Sequence, residues 1–164
     1  MQIRPDKPFN DRKYFWLSSK DVPKGGVPGT GASPGSPIHF VGDPAAKRVF
    51  ITEGGLKGSV AHSLTGYTFA CLPGVNSIGE LRGILGMLKA NGTEVVVEAF
   101  DTDKHTNEKV GAAAKALKVL IEEFEFNHLS ADWADKSLKG IDDYYFDRRL
   151  KQQNHIFTVS MAPA

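Results

Sequence analysis

From Arg48 onward the apolar residues of this chain alternate between two patterns: short continuous runs, and stretches in which they recur every three or four positions. Arg48-Val49-Phe50-Ile51-Thr52 is a run of the first kind that stops at Glu53-Gly54-Gly55, after which Leu56, Val60, Ala61 and Leu64 follow at helical spacing. Together they predict a βα unit. Thr68-Phe69-Ala70-Cys71-Leu72 predicts a second strand closed by Pro73-Gly74. Ile78, Leu81, Ile84, Leu85 and Leu88 predict a second helix, capped by Asn76 and ending near Asn91-Gly92. Glu94 to Phe100 reads as a third strand. Beyond Asp101-Thr102-Asp103, the residues Val110, Ala113, Ala114, Leu117, Leu120, Ile121 and Phe124 predict a third amphipathic helix, and Phe126 to Leu129 a fourth strand. Strands separated by helices of this length require right-handed crossovers, so the expected core is an α/β fold with a mostly parallel central sheet flanked by helices. Further on, Lys139 to Phe146 reads as a turn into a short helix, and His155 to Val159 as an added edge strand.

The segment before Arg48 has a different character. Residues 23–37 carry Pro23, Gly25, Gly26, Pro28, Gly29, Gly31, Pro34, Gly35 and Pro37, too many backbone breakers for a regular element. Tyr14-Phe15-Trp16-Leu17 and Ile38-His39-Phe40-Val41 flank this loop, so residues 12–42 are expected to pair as an N-terminal β-hairpin with a long connection. A linker between domains is the other reading of the same residues. The loop offers little apolar surface to offset its ordering entropy and is expected to be mobile. A single domain is expected, with a hairpin extension at 12–47, an α/β core at 48–147 and a C-terminal extension at 148–164.

Composition narrows the class without choosing a function. The 164 residues are 41% hydrophobic and 24% charged, the balance of an ordinary folded domain, which excludes a disordered or collagen-like chain. A net charge of +1 gives no field that by itself implies a polyanionic partner. The charge is unevenly spread, however, with an acidic centre between mildly basic ends. Cys71 is the sole cysteine, which excludes an internal disulfide framework, and the five scattered histidines give no zinc-finger spacing. With no apolar stretch of membrane-spanning length and a polar N-terminus, the expectation is a soluble, cytoplasmic protein that makes no membrane contact.

In a parallel α/β sheet, ligands bind where the carboxyl ends of the strands meet loops and helix N-termini. Glu53 follows the first core strand, Asp101 and Asp103 the third, and Asp142 with Asp143 the region after the fourth. Acids gathered in this way repel and raise one another's pKa unless a cation is present, and oxygen-only ligation suits Mg²⁺ or Mn²⁺ rather than zinc. Each residue also has a plainer reading. Asp103 at a helix start is a natural cap, Asp101 a strand terminus, Glu53 an exposed loop acid, and Asp142-Asp143 a cap for the following helix. Lys57, four residues beyond Glu53, is a second catalytic candidate, placed to reach a phosphate or a neighbouring acid, and its plainer reading is a solvated surface lysine. Cys71, mid-strand among apolar neighbours, reads as core.

A Glu-Gly after a first core strand and an Asp-X-Asp about fifty residues later, here Glu53-Gly54 and Asp101-Thr102-Asp103, resemble the Toprim domain of primases, topoisomerases and related nucleases. The wider context is closer to a Toprim-like family, DUF3854, found in primase-helicase proteins of phages, plasmids and integrative elements. The matching stretches are Ile51 to Lys57, Leu72-Pro73-Gly74-Val75-Asn76, Phe100-Asp101-Thr102-Asp103 with Asn107 and Val110, and Lys139-Gly140-Ile141-Asp142-Asp143-Tyr144. Lys13 to Ser19 and the loop before Ile38 resemble its upstream hairpin. The resemblance implies a Toprim-like Rossmannoid fold with Glu53 as acid/base, Lys57 beside it, Asp101 and Asp103 as Mg²⁺ (or Mn²⁺) ligands, and Asn107, Asp142 and Asp143 as additional site residues. DNA or RNA and nucleotides are the implied partners, with replication proteins such as a helicase. These residues carry no zinc-binding cysteine module, so the expectation is an isolated domain or one piece of a larger replication protein rather than a complete primase.

Three functions therefore stand open: a Mg²⁺-dependent phosphotransfer module that joins or cuts nucleic acid, a non-catalytic domain holding nucleic acid or a partner, and a receiver-like phosphoacceptor.

Overall fold

The computed structural model describes residues 37–160 continuously and, before them, two short strands, β1 (Gln2–Ile3) and β2 (Phe15–Trp16). The chain divides into two compact units, residues 1–36 and 37–164. In the first, β1 and β2 pair antiparallel, with Gln2 opposite Trp16 and Ile3 opposite Phe15. The Gly/Pro-rich stretch from Pro23 to Ser36, expected to be mobile, lies outside the described residues.

In the second unit the chain runs through β3 (His39–Val41), β4 (Arg48–Glu53), α1 (Gly55–Thr65) and β5 (Thr68–Leu72). A 3₁₀ segment (Val75–Glu80) leads into α2 (Leu81–Ala90), followed by β6 (Val95–Glu98) and a second 3₁₀ segment (Thr102–His105). Next come α3 (Glu108–Glu123), β7 (Asn127–Ser130) and α4 (Ile141–Ser160). The strands form one five-stranded sheet in the order β3-β5-β4-β6-β7, parallel throughout except for β3, which is antiparallel to β5.

Alternation along each strand explains why the sheet needs a helical layer on both faces. Val49 and Ile51 of β4, Ala70 and Leu72 of β5, and Val96 of β6 share one core with Leu81, Leu85 and Leu88 of α2 and Val110, Leu117 and Ile121 of α3. The intervening Phe50, Phe69, Cys71 and Val97 share the other with Ala61 of α1, Trp133 and Ile141. Strands covered on both sides read as unbroken apolar runs, which is how they stand in the sequence. Gly58 seats α1 on β5: a Cβ there would collide with the Cys71 sulfur, so no other residue lets the helix lie this close.

Strand order also places the site. From β4 the chain moves through α1 to β5 on one side, then returns through α2 to β6 and through α3 to β7 on the other, so the direction of winding reverses at β4. The carboxyl end of β4 is therefore a topological switch point, where the loops diverge and leave a crevice.

Two local expectations are corrected. The pairing expected between Tyr14–Leu17 and Ile38–Val41 is replaced by two others: β2 pairs with β1, and β3 adds to the main sheet beside β5. Periodicity marks a strand but not its partner, and β3 gains more by covering the edge of a buried sheet than in an isolated two-stranded ribbon. The edge strand expected at His155–Val159 is helical, because α4 continues to Ser160. Once a helix is nucleated each added residue gains a hydrogen bond, which outweighs the weak strand preference of Ile156, Phe157 and Val159. Among the described residues no helix is long and apolar enough to cross a membrane.

Candidate active site

Glu53 closes β4 opposite Leu72, and Gly54 then turns the chain into α1 at φ 81°, its N–H donating to the Leu72 carbonyl at 2.7 Å. That tight turn puts Lys57 in the first turn of α1, directly above the strand end. On the neighbouring strand, Glu98 is in register with Ile51, and the Ala99 N–H continues the ladder to the Ile51 carbonyl at 2.8 Å. Asp101, three residues past Glu98, thus comes level with the Gly54 turn. The third wall is the Lys139-Gly140 turn before α4, tied to the Asp101 loop by the Thr102 N–H, which donates to the Lys139 carbonyl at 3.0 Å.

Glu53, Lys57, Asp101, Asp103 and Asp142 meet at this one edge, joined by Lys139. The Lys57 ammonium donates to both carboxylate oxygens of Asp101, at 2.5 and 2.6 Å, and the Asp101 side chain is only 8% exposed. Lys139 adds a looser contact, 3.7 Å from Asp101 Oδ2 and 3.4 Å from Asp103 Oδ2, and these two carboxylates hold its ammonium above the usual lysine range, Asp103 foremost. Burial is the main cause that pushes the Glu53 carboxyl up to about 7; the charges of Asp101 and Asp103 add to it, and those of Lys57 and Lys139 oppose it. Burial, and next the charge of Asp143, also raises the Asp142 carboxyl.

Three carboxylate oxygens here are buried without a hydrogen-bond partner among the described residues: Glu53 Oε1, Asp103 Oδ1 and Asp142 Oδ1. Native interiors rarely leave such atoms unpaired, and a cluster of them is satisfied by ordered water, a proton or a cation. Among the described residues no group of three or more His, Cys, Asp and Glu side chains stands in metal-holding geometry. Lys57 and Lys139 take the oxygens of Asp101 and Asp103 instead.

The remaining candidates have structural duties. Asn107 caps α3, its side-chain oxygen accepting from the Lys109 N–H at 3.1 Å, which is the duty the sequence offered to Asp103. Asp143 accepts from the Gly140 N–H at 3.1 Å and so fixes the start of α4. Asn76, expected as the cap of the second helix, lies inside the 3₁₀ segment, whose N-cap is Gly74. Cys71 is buried, which pushes its thiol up to about 12 and leaves it unreactive.

Two features went unforeseen. Beside Asp103 a cleft of about 640 Å³ is lined by Thr102, His105, Thr106, Asp132, Lys136 and Lys139. Below the site, Glu98 and Lys104 form a buried ion pair at 2.9 Å, their side chains 3% and 6% exposed. Lys104 also donates to Ser130 Oγ at 3.0 Å and to the Ala131 carbonyl at 2.7 Å; Glu98 accepts from the Ser130 hydroxyl and the Phe100 N–H, both at 2.6 Å. A glutamate inside the run Val95-Val96-Val97-Glu98-Ala99-Phe100 is the signal for it, since a charge buried in a strand needs a partner.

The family model described as "Domain of unknown function (DUF3854)" matches residues 41–151, from the end of β3 into α4. The chain belongs to the DUF3854 family. Every residue of the candidate site lies within the DUF3854 match, whereas β1 and β2 precede it. No curated protein and no solved structure matches the chain.

Proposed function

We propose that this edge is a Mg²⁺-dependent phosphotransfer centre for nucleic acid, Toprim-like in arrangement, within a replication protein of a phage or mobile element that works with partners such as a helicase. The observation that carries the reading is the convergence of Glu53, Asp101 and Asp103 at a topological switch point, where burial and the two aspartates raise the Glu53 carboxyl above the usual carboxylate range, as suits a proton-exchanging group. The donors fit a hard divalent cation, because they are all oxygens and Asp103 keeps one buried oxygen unpartnered. Asp101 and Asp103 would hold Mg²⁺, which when bound supplies positive charge at a phosphate. Glu53 takes the proton from the attacking hydroxyl or returns it to the leaving oxygen. Lys139, at the mouth of the 640 Å³ cleft, orients a phosphate.

A second reading, a domain that holds nucleic acid or a partner without turnover, is favoured by one observation: Lys57 already engages both oxygens of Asp101. The deciding experiment incubates the protein with labelled single-stranded DNA, duplex DNA and single-stranded RNA, with and without nucleoside triphosphates, in Mg²⁺, Mn²⁺ or EDTA. Cation-dependent lengthening or shortening of the strand that Glu53→Gln abolishes is the expected result. Equal binding with and without cation and no change in strand length would establish the binding domain instead.

A further inference from the structure

Asp101 presents a conflict. Its two oxygens are the best-placed donors at the switch point, yet both lie within hydrogen-bond distance of the Lys57 ammonium. A divalent cation and an ammonium on the same two oxygens would stand only a few ångströms apart, a like-charge contact that the site cannot sustain at low dielectric.

The surroundings offer a way out. Gly140 brings three groups around one point: were a Cβ present there, it would stand 3.4 Å from Lys57 Cδ, 3.5 Å from Asp101 Oδ1 and closer still to Asp142 Oδ1. Asp142 Oδ1 is buried and has no partner among the described residues, and the Asp142 carboxyl already feels the charge of Lys57. The stem of Lys57 therefore runs past two carboxylates: that of Asp101, held by its ammonium, and that of Asp142, which accepts backbone N–H groups at the start of α4 but keeps Oδ1 without a partner among the described residues. Lysine's flexible four-carbon stem carries the charge between them with no movement of the backbone.

Resting on the metal reading above, we propose that Lys57 is a two-position counter-ion: it neutralises Asp101 when the site is free of cation and re-pairs with Asp142 when a divalent cation takes Asp101 and Asp103. Lys57 then sets the cation concentration at which the site fills, and Asp142 is a positioning residue that acts through Lys57.

Mn²⁺ binding to the whole chain, followed by calorimetry and by the electron paramagnetic resonance of free Mn²⁺, tests this in four proteins: wild type, Lys57→Met, Asp142→Asn and the double variant. Lys57→Met is expected to bind Mn²⁺ roughly tenfold more tightly, since it removes a competing charge. Asp142→Asn is expected to weaken binding several-fold when Lys57 is present and to have no effect when it is absent. Unchanged or weaker binding by Lys57→Met overturns the proposal. Equal weakening by Asp142→Asn in both backgrounds also overturns it, by making Asp142 a ligand. No Mn²⁺ binding by any of the four overturns the metal reading and this proposal with it. Should Lys57→Met fail to fold, ¹⁵N NMR of the wild-type lysine ammonium groups decides. Saturating Mg²⁺ is expected to shift the Lys57 resonance, and an unmoved resonance overturns the proposal.

Discussion

Two lysine–carboxylate pairs stand three residues apart at the end of β6, and they are opposites. Around Glu98 and Lys104 every donor has an acceptor: the three ammonium protons go to Glu98, Ser130 and the Ala131 carbonyl, while Ser130 and the Phe100 N–H complete the carboxylate. Around Asp101 and Lys57, three neighbouring carboxylate oxygens lack partners among the described residues, and the Lys57 side chain is 30% exposed. Satisfied buried networks rigidify a fold, whereas incompletely satisfied ones mark places that exchange partners. The first pair anchors the loop carrying Asp101 and Asp103, and the second leaves the neighbouring carboxylates incompletely satisfied.

The comparison is tested most severely by Lys104→Met, which strands the Glu98 charge in the interior and is expected to cost about 3–5 kcal/mol in urea unfolding. A loss under about 1 kcal/mol would erase the distinction between the two pairs. Glu53→Gln is expected to act through pH. A carboxyl raised from 4.5 to about 7 contributes stability that is fully present below pH 4.5 and is lost as pH rises through 7, because the folded state there holds a proton that the unfolded state has released. The Gln variant escapes that loss. Its advantage over wild type is expected to be about 2 kcal/mol at pH 8, allowing for solvent screening, and to vanish near pH 4, as followed by thermal melts across that range.

Asp101→Asn with Asp103→Asn is expected to keep the fold and abolish the rise in melting temperature with Mg²⁺, a stabilisation of about 1.4 kcal/mol at ten times the dissociation constant. The same melts without metal are expected to show a small loss, since the structure pairs Asp101 with Lys57 where charge repulsion alone would predict a gain. Lys57→Met is expected to cost least, about 1 kcal/mol or less in urea unfolding, because Lys139 remains 3.7 Å from Asp101 to balance its charge.

Sequence reading reached the parallel core and the strand-end acids because both depend on local pattern. Val49 to Thr52 and Val96 to Phe100 are buried on both faces of the sheet, and Glu53 and Asp101 sit where those runs stop. It did not reach what depends on distant partners. His39–Val41 pairs with β5, some thirty residues on, and nothing in its own residues names that partner. Lys139 was visible within its motif, but its approach to Asp103 depends on the Thr102 hydrogen bond to a turn 37 residues away. The carboxylates were legible as a cluster and Lys57 as a lysine within reach of an acid; which acid it meets, and that Lys139 joins it, shows only once the backbone is in place.

The contact of Gly58 with Cys71 also gives the molecule a reporter of its own opening. The sole thiol is sealed under the helix that carries Lys57, and burial suppresses its ionisation. A disulfide reagent in solution reaches that sulfur only when α1 lifts from β5, so the labelling rate under native conditions measures the free energy of that local opening. If the closed site takes a divalent cation as proposed, the cation slows labelling by the factor through which it stabilises the closed form. Occupancy of the acidic edge would thus be readable as the rate at which one sulfur atom in the layer beneath it reacts.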